Sequence, residues 1–213
     1  MARILVTGAG RGIGAALMAA GHAAGHEMIG TTRAGKGDTI AVSMDDPNMI
    51  AEALHDAPAL DILINNAGVI GPARQDPLDM DWAGFAHALT INTLAPLAVT
   101  QALLPRLRES AAPKVLTVSS QMAWMGYRKA DRIAYRASKA AVNKVMQGLA
   151  TRLEPDSIAV ALVDPGWVRT DMGGSEAEED PAKVSLGILA IAERLTMADT
   201  GKFFRFTGEE RAF

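Results

Sequence analysis

The stretch SSQMAWMGYRKADRIAYRASKAAVN, residues 119–143, holds residue types whose spacing could move a proton. Tyr135 and Lys139 stand four positions apart, so on a helix they share one face, a turn from each other. A free phenol titrates near 10 and is a poor base at neutral pH. A neighbouring ammonium, together with the positive charge of an oxidised hydride carrier, favours the phenolate and is expected to lower that value. Such a phenol can give a proton to a carbonyl oxygen or take one from an alcohol. Ser120 ends the apolar run KVLTVSS (114–120) and can hydrogen-bond the same oxygen. Taken alone, the pair also fits a surface tyrosine–lysine contact that only supports a helix. The other tyrosine, Tyr127, has Asp131 four positions on and cannot play the part.

A proton moved in this way needs a partner that carries hydride, and the start of the chain offers a place for one. TGAGRGIG (7–14) follows the apolar run Ile4-Leu5-Val6 and opens a helical pattern. The sixth position of a G-x-G-x-x-G reading is Ile13, so that fingerprint fails. Read as G-x-x-x-G-x-G, the pattern rests on Gly8, Gly12 and Gly14. Gly8 allows the tight exit from the strand, and Gly12 lets backbone approach a pyrophosphate met by the helix N-terminus. Gly14 allows close packing, and Gly10 is then spare. Gly8, Arg11, Gly12, Ile13 and Gly14 are the loop positions expected at a dinucleotide. An acid about 20 residues on would hold the ribose 2′-hydroxyl of NAD. Thr32 and Arg33 stand there instead. A cation suits a 2′-phosphate, so NADP is expected over NAD, with Arg33 as first cation and Arg11 as a weaker second.

The elements that must position these residues follow from an alternation of short apolar runs and longer helical patterns. Strands are expected at 4–6, 26–32, 38–44, 61–65, 114–120, 157–163 and 202–206. Helices are expected at 13–24, 47–57, roughly 79–109, about 133–153 and about 181–196. That order predicts one α/β domain over 1–213, a doubly wound parallel seven-stranded sheet with helices on both faces. Ligands then bind beyond the carboxyl ends of the strands, at the loops after Val6, Asn65, Ser119 and Val163.

Composition narrows the function. A net charge of −3 and a pI of about 5.8 give no nucleic-acid footprint. The absence of cysteine excludes disulfides and thiolate metal sites. His22, His26, His55 and His87 show no metal spacing, so no metal is expected. No signal peptide is read at the N-terminus and no apolar stretch is read as long enough to span a bilayer, so a cytoplasmic protein without membrane contact is expected. Trp124 and Met125 either line a pocket or pack a loop. Trp82, Phe85 and Leu89 recur at helical spacing, which suits core or a subunit interface.

Taken together, TGAGRGIG, NNAG (65–68), INT (91–93), SS (119–120), YRASK (135–139) and DPGWVRTDM (164–172) resemble the short-chain dehydrogenase/reductase superfamily, in family order along nearly the whole chain. YRASKAAVN, PGWVRTDMGG, ERLT and GKFFRFTGEE are similar to its compact C-factor and sniffer-type carbonyl reductase branch. The resemblance implies that Asn65, Ala67 and Gly68 line the adenine-ribose side. It makes Asn92 the fourth member of a tetrad with Ser120, Tyr135 and Lys139, holding a water that relays protons from the lysine. It places Lys139 on the nicotinamide ribose hydroxyls, and Pro165, Gly166, Val168 and Thr170 around the nicotinamide. It further implies a carbonyl or alcohol substrate and a homodimer or homotetramer built on the long helices. There are departures. Ser120 lies 15 residues before Tyr135 where 13 is commoner, and Asp164 stands where other residue types are frequent. The segment after Gly166 is short, leaving a lid of about ten residues around 170–180. An NADP-binding signalling protein of C-factor type is the competing function. A methyltransferase is disfavoured by Tyr135, Lys139 and the missing acid.

Overall fold

A computed structural model describes every residue of the chain except Lys36 and Asp38. Strands and helices alternate in the order β1 (Arg3–Val6), α1 (Gly12–Ala23), β2 (Glu27–Thr32), β3 (Thr39–Ala41), α2 (Ile50–Ala53) and β4 (Ile62–Asn65). A small hairpin, β5 (Gln75–Asp76) with β6 (Asp79–Met80), precedes α3 (Trp82–Leu89) and α4 (Ala95–Leu107). Then come β7 (Lys114–Val118), α5 (Ile133–Leu153), β8 (Ala159–Asp164), α6 (Pro181–Arg194), β9 (Phe203–Arg205) and β10 (Glu210–Arg211). The expected start of the third strand at Asp38 lies outside the described residues.

The main sheet has the order β10-β9-β8-β7-β4-β1-β2-β3. Its seven expected strands are parallel, and the order reverses direction between β4 and β1, where such sheets bind ligands. An eighth strand was not expected: β10 pairs antiparallel with β9 at the sheet edge. It is two polar residues long and carries no apolar alternation to betray it.

Strand side chains alternate between faces, and the two cores divide accordingly. Leu5, Leu63, Val115, Val160 and Leu162 face α4 and α5, packing with Leu103, Leu107, Val142 and Met146. Ile4, Val6, Ile62, Ile64, Leu116 and Val163 face α1 and α6, packing with Leu17, Val184 and Ile188. Burial on both faces is why these strands read as continuous apolar runs.

The region expected as one helix over 79–109 is a hairpin followed by a continuous helix, Trp82–Leu107. This helix does reach the length and apolar character of a bilayer span, with mean hydropathy 1.3 over its best window. Half of that window is buried in the protein, and Val99, Leu103 and Leu107 are fully buried against the sheet. Between α3 and α4 the helix widens into a π turn, Thr90–Leu94, which contains Asn92. Such wide turns are rare and concentrate at functional sites.

Candidate active site

A cavity of about 510 Å³ opens at the carboxyl ends of β1, β2, β4, β7 and β8. That size falls in the range of small-molecule and cofactor sites. One end is the glycine loop. Gly8 and Gly12 have φ of +69° and +55°, values that other residues rarely adopt. A Cβ on Gly14 would come within 2.2 Å of the Gly8 carbonyl oxygen. The glycines thus keep the loop folded flat against itself. Arg11, the N-cap of α1, makes no side-chain capping bond, and the first turn holds no acid. The first N–H groups of α1 are therefore left for an anion.

Several expected cofactor residues line this cavity: Gly8, Arg11, Gly12, Ile13, Arg33, Ala67, Gly68, Tyr135, Lys139, Pro165 and Thr170. Four others do not. Asn65 follows Leu63 by two along β4, so it faces α4 rather than the cavity. Its Nδ2 donates to Thr100 Oγ1 at 3.1 Å and Thr117 Oγ1 at 3.3 Å, tying β4 to α4 and β7. Gly14 acts through the loop's own backbone. Gly166, at φ +75°, turns the chain after Pro165. Val168 is buried in the α6-side core and bridges to Glu179.

Asn66 reaches the cavity wall where Asn65 does not. Its Nδ2 donates to the carbonyls of Thr7 and Gly8, at 2.9 and 3.3 Å. Thr7 Oγ1 in turn accepts from the N–H groups of Asn66 and Ala67, both at 3.0 Å. The glycine loop and the loop after β4 are thereby fixed to each other. The second asparagine of NNAG is the sequence signal for this contact.

At the other end of the cavity, α5 presents Tyr135 and Lys139 on one face as their spacing predicts. The Lys139 ammonium lies 5.9 Å from the centroid of the Tyr135 ring and donates to the Val118 carbonyl at 2.9 Å. Burial pushes the Tyr135 phenol up to about 12, an effect that a hydrogen bond with Ser120 only moderates. Burial also pulls Lys139 down to about 8. Burial outweighs the other influences on the phenol, and Ser120 and Arg132, not Lys139, are the groups that lower it.

Ser120 and Asn92 do not themselves line the cavity. Ser120 caps a short 3₁₀ turn, Gln121–Ala123, by accepting from Met122 N–H at 3.1 Å. That turn and the loop after it take up the two extra residues between Ser120 and Tyr135. Asn92 is engaged on every polar atom of its side chain. Its Oδ1 accepts from Val69 N–H at 2.9 Å, and its Nδ2 donates to Val69 O at 2.8 Å and Ser138 Oγ at 2.9 Å. It clamps the loop after β4 to α5. A Cβ on Gly68 would stand 3.1 Å from Asn92 Oδ1 and 3.6 Å from Lys139 Nζ, so this glycine keeps the space between them open.

Two further residues shape the site, the first without any sequence signal. Gln75, buried in the small hairpin, accepts from the Tyr135 N–H at 3.1 Å. Its Nε2 donates to the carbonyls of Ile70 and Pro72, at 3.1 and 2.8 Å. It therefore caps the start of α5, whose N-cap residue, Arg132, makes no capping bond of its own. Asp164 is buried at the end of β8, where its charge helps raise the Tyr135 phenol. Arg211 of β10 faces it, Nε to Oδ2 at 3.2 Å. The carboxylate that departs from the family pattern thus faces a cation.

Fold and site together define a doubly wound α/β protein with a glycine loop at the sheet's switch point and a tyrosine–lysine pair across from it. The chain belongs to the short chain dehydrogenase family, whose model matches residues 39–181. It is 40% identical over 152 residues to the C-signal of Myxococcus xanthus, covering 71% of this chain and 91% of that protein. The NADPH-bound carbonyl reductase from chicken fatty liver superposes with a TM-score of 0.91 at 25% identity, covering 100% of this chain and 99% of that one. The carbonyl reductase Sniffer of D. melanogaster shares the fold, with a TM-score of 0.90 at 24% identity and full coverage of both chains.

Proposed function

We propose that this chain is an NADP(H)-dependent oxidoreductase that transfers hydride between the nicotinamide and a carbonyl or alcohol substrate, with Tyr135 as general acid and base. The observation that carries this reading is that one cavity joins the glycine loop to Tyr135 and Lys139. The residues fit such a cofactor. The flat loop at Gly8, Gly12 and Gly14 and the uncapped start of α1 suit a pyrophosphate, and Arg33 and Arg11 line the wall as cations for a 2′-phosphate. The NADPH in the chicken relative supports the same choice. When bound, NADPH supplies the hydride.

The protein's own part is proton transfer and placement. Tyr135, held protonated by burial, donates to the carbonyl oxygen as the alcohol forms and takes the proton back in the reverse reaction. Ser120 shares a hydrogen bond with the phenol and steadies the same oxygen. Lys139, with a lowered pKa, returns a proton to Tyr135 and meets the ribose hydroxyls. Asn92 is a positioning residue through its side chain, which Val69 and Ser138 engage. The segment around 170–180 serves as a short lid, since Thr170, Asp171 and Met172 form one wall of the cavity. Trp82 and Leu94, exposed on the long helix, suit a homodimer built there.

The likeness to the C-signal favours a second reading, an NADP-binding signalling protein with little turnover. One experiment separates the two: NADPH oxidation across aldehydes, ketones and quinones, with wild type and Tyr135→Phe. Turnover by the wild type, lowered about 10²- to 10⁴-fold in the variant, is expected. NADPH binding with no turnover on any substrate establishes the signalling reading. Equal turnover in the variant removes Tyr135 from the mechanism.

A further inference from the structure

The far end of the cavity is lined by Thr31, Thr32, Arg33, Val42 and Met44. Directly after Met44 stands Asp45, and its carboxylate is held on three sides. Oδ2 accepts from Ser43 Oγ at 2.7 Å and lies 3.8 Å from Arg33 Nε. Oδ1 lies 2.8 Å from His87 Nε2, which reaches over from α3. The hydrogen bonds from Ser43 and His87 hold the carboxyl below its usual range, so it is ionised and the His87 proton sits on Nε2. Arg33, at 76% side-chain exposure, touches this acid only through Nε and at long range. A guanidinium can do much better with a carboxylate, closing on it with two parallel bonds. The second oxygen needed for that fork is the one His87 holds.

We propose that Asp45 is a specificity-determining residue of the cofactor site: a resident anion that competes with the 2′-phosphate for Arg33, with His87 restraining it by engaging its other oxygen. This rests on the assignment of NADP to the cavity. The two residues therefore act with opposite signs. Neutralising Asp45 releases Arg33 to the phosphate and removes a like charge from its neighbourhood. Removing His87 frees the carboxylate to close on Arg33 and shut the phosphate out. An exposed charge contact of this kind is worth about a factor of three to ten in an equilibrium constant.

The test is calorimetric binding of 2′,5′-ADP and 5′-ADP, which differ only in the phosphate at issue, to wild type, Asp45→Asn, His87→Ala and Arg33→Ala. Asp45→Asn should tighten 2′,5′-ADP about threefold to tenfold, and His87→Ala should weaken it about threefold, while 5′-ADP stays within a factor of two in both. Unchanged or weaker 2′,5′-ADP binding by Asp45→Asn, with Arg33→Ala still weakening it, overturns the competition alone. A matching change for 5′-ADP makes Asp45 a general part of the nucleotide site and also overturns it. If Arg33→Ala binds 2′,5′-ADP as wild type does, the assignment of Arg33 to the 2′-phosphate fails.

Discussion

Asp164 Oδ2 and Arg211 Nε lie 3.2 Å apart, joining the end of a central strand to the two-residue strand at the sheet edge. The acid is 1% exposed and its charge helps raise the Tyr135 phenol, so Arg211 screens that phenol from a buried anion. Arg211→Met should leave that anion unopposed. The rise of alcohol oxidation with pH, which needs phenolate, should then shift to higher pH. The double variant Arg211→Met/Asp164→Asn should bring it back. A pH–rate profile that does not move in Arg211→Met would falsify this coupling.

Lys139 should leave a mark on stability. Its folded pKa is about 8, below the ordinary lysine value of 10.5. Between those values the unfolded chain binds more protons than the folded one, so stability rises with pH across that window. Below it the buried ammonium costs about 3 kcal/mol. Lys139→Met should therefore be the more stable protein at pH 7, and its advantage should shrink steadily toward pH 10. Urea unfolding of both proteins at several pH values measures this directly, and a constant difference would contradict it.

Gln75 holds the first turn of the catalytic helix from a hairpin outside the main sheet. Gln75→Leu leaves the Tyr135 N–H and the carbonyls of Ile70 and Pro72 without their partner, a loss of about 1–3 kcal/mol. Because the contact lies on the Tyr135 N–H and not at the glycine loop, kcat should fall while the affinity for NADPH stays within a factor of two. Weaker NADPH binding at unchanged kcat would show that the contact serves the cofactor instead.

Asn65 should behave as a structural residue despite its place in NNAG. Asn65→Ala removes the amide that ties Thr100 and Thr117, and about 1–3 kcal/mol of stability with it. NADPH affinity in the folded fraction should be unaltered. A selective loss of NADPH binding at full stability would return Asn65 to the cofactor.

These cases show which features the chain's order of residues makes readable. The central strands are legible because burial on both faces leaves uninterrupted apolar runs, and α5 spans Ile133–Leu153 where its pattern predicts about 133–153. Tyr135 and Lys139 are legible because helical spacing alone puts them on one face. Asn65 was assigned by motif resemblance, although the two-residue alternation from Leu63 already turned it toward α4. Gln75 and Arg211 were invisible for another reason: each acts across 60 or 47 residues, from a two-residue strand that has no periodicity to detect. The effect of burial on the Tyr135 phenol is not legible, because spacing reports neighbours whereas burial depends on everything packed around them.

The segment after β8 is closed at its base. Glu179 N–H donates to Trp167 O and Arg169 N–H to Glu179 O, both at 2.9 Å, and the Arg169 guanidinium holds the carbonyls of Ala177 and Glu178. The exposed residues at its tip, Met172 and Gly174–Glu176, lie beyond these bonds. A protease cutting there severs the chain without severing the fold. The nicked protein should separate into two fragments in denaturing electrophoresis and still elute as a single particle on a sizing column.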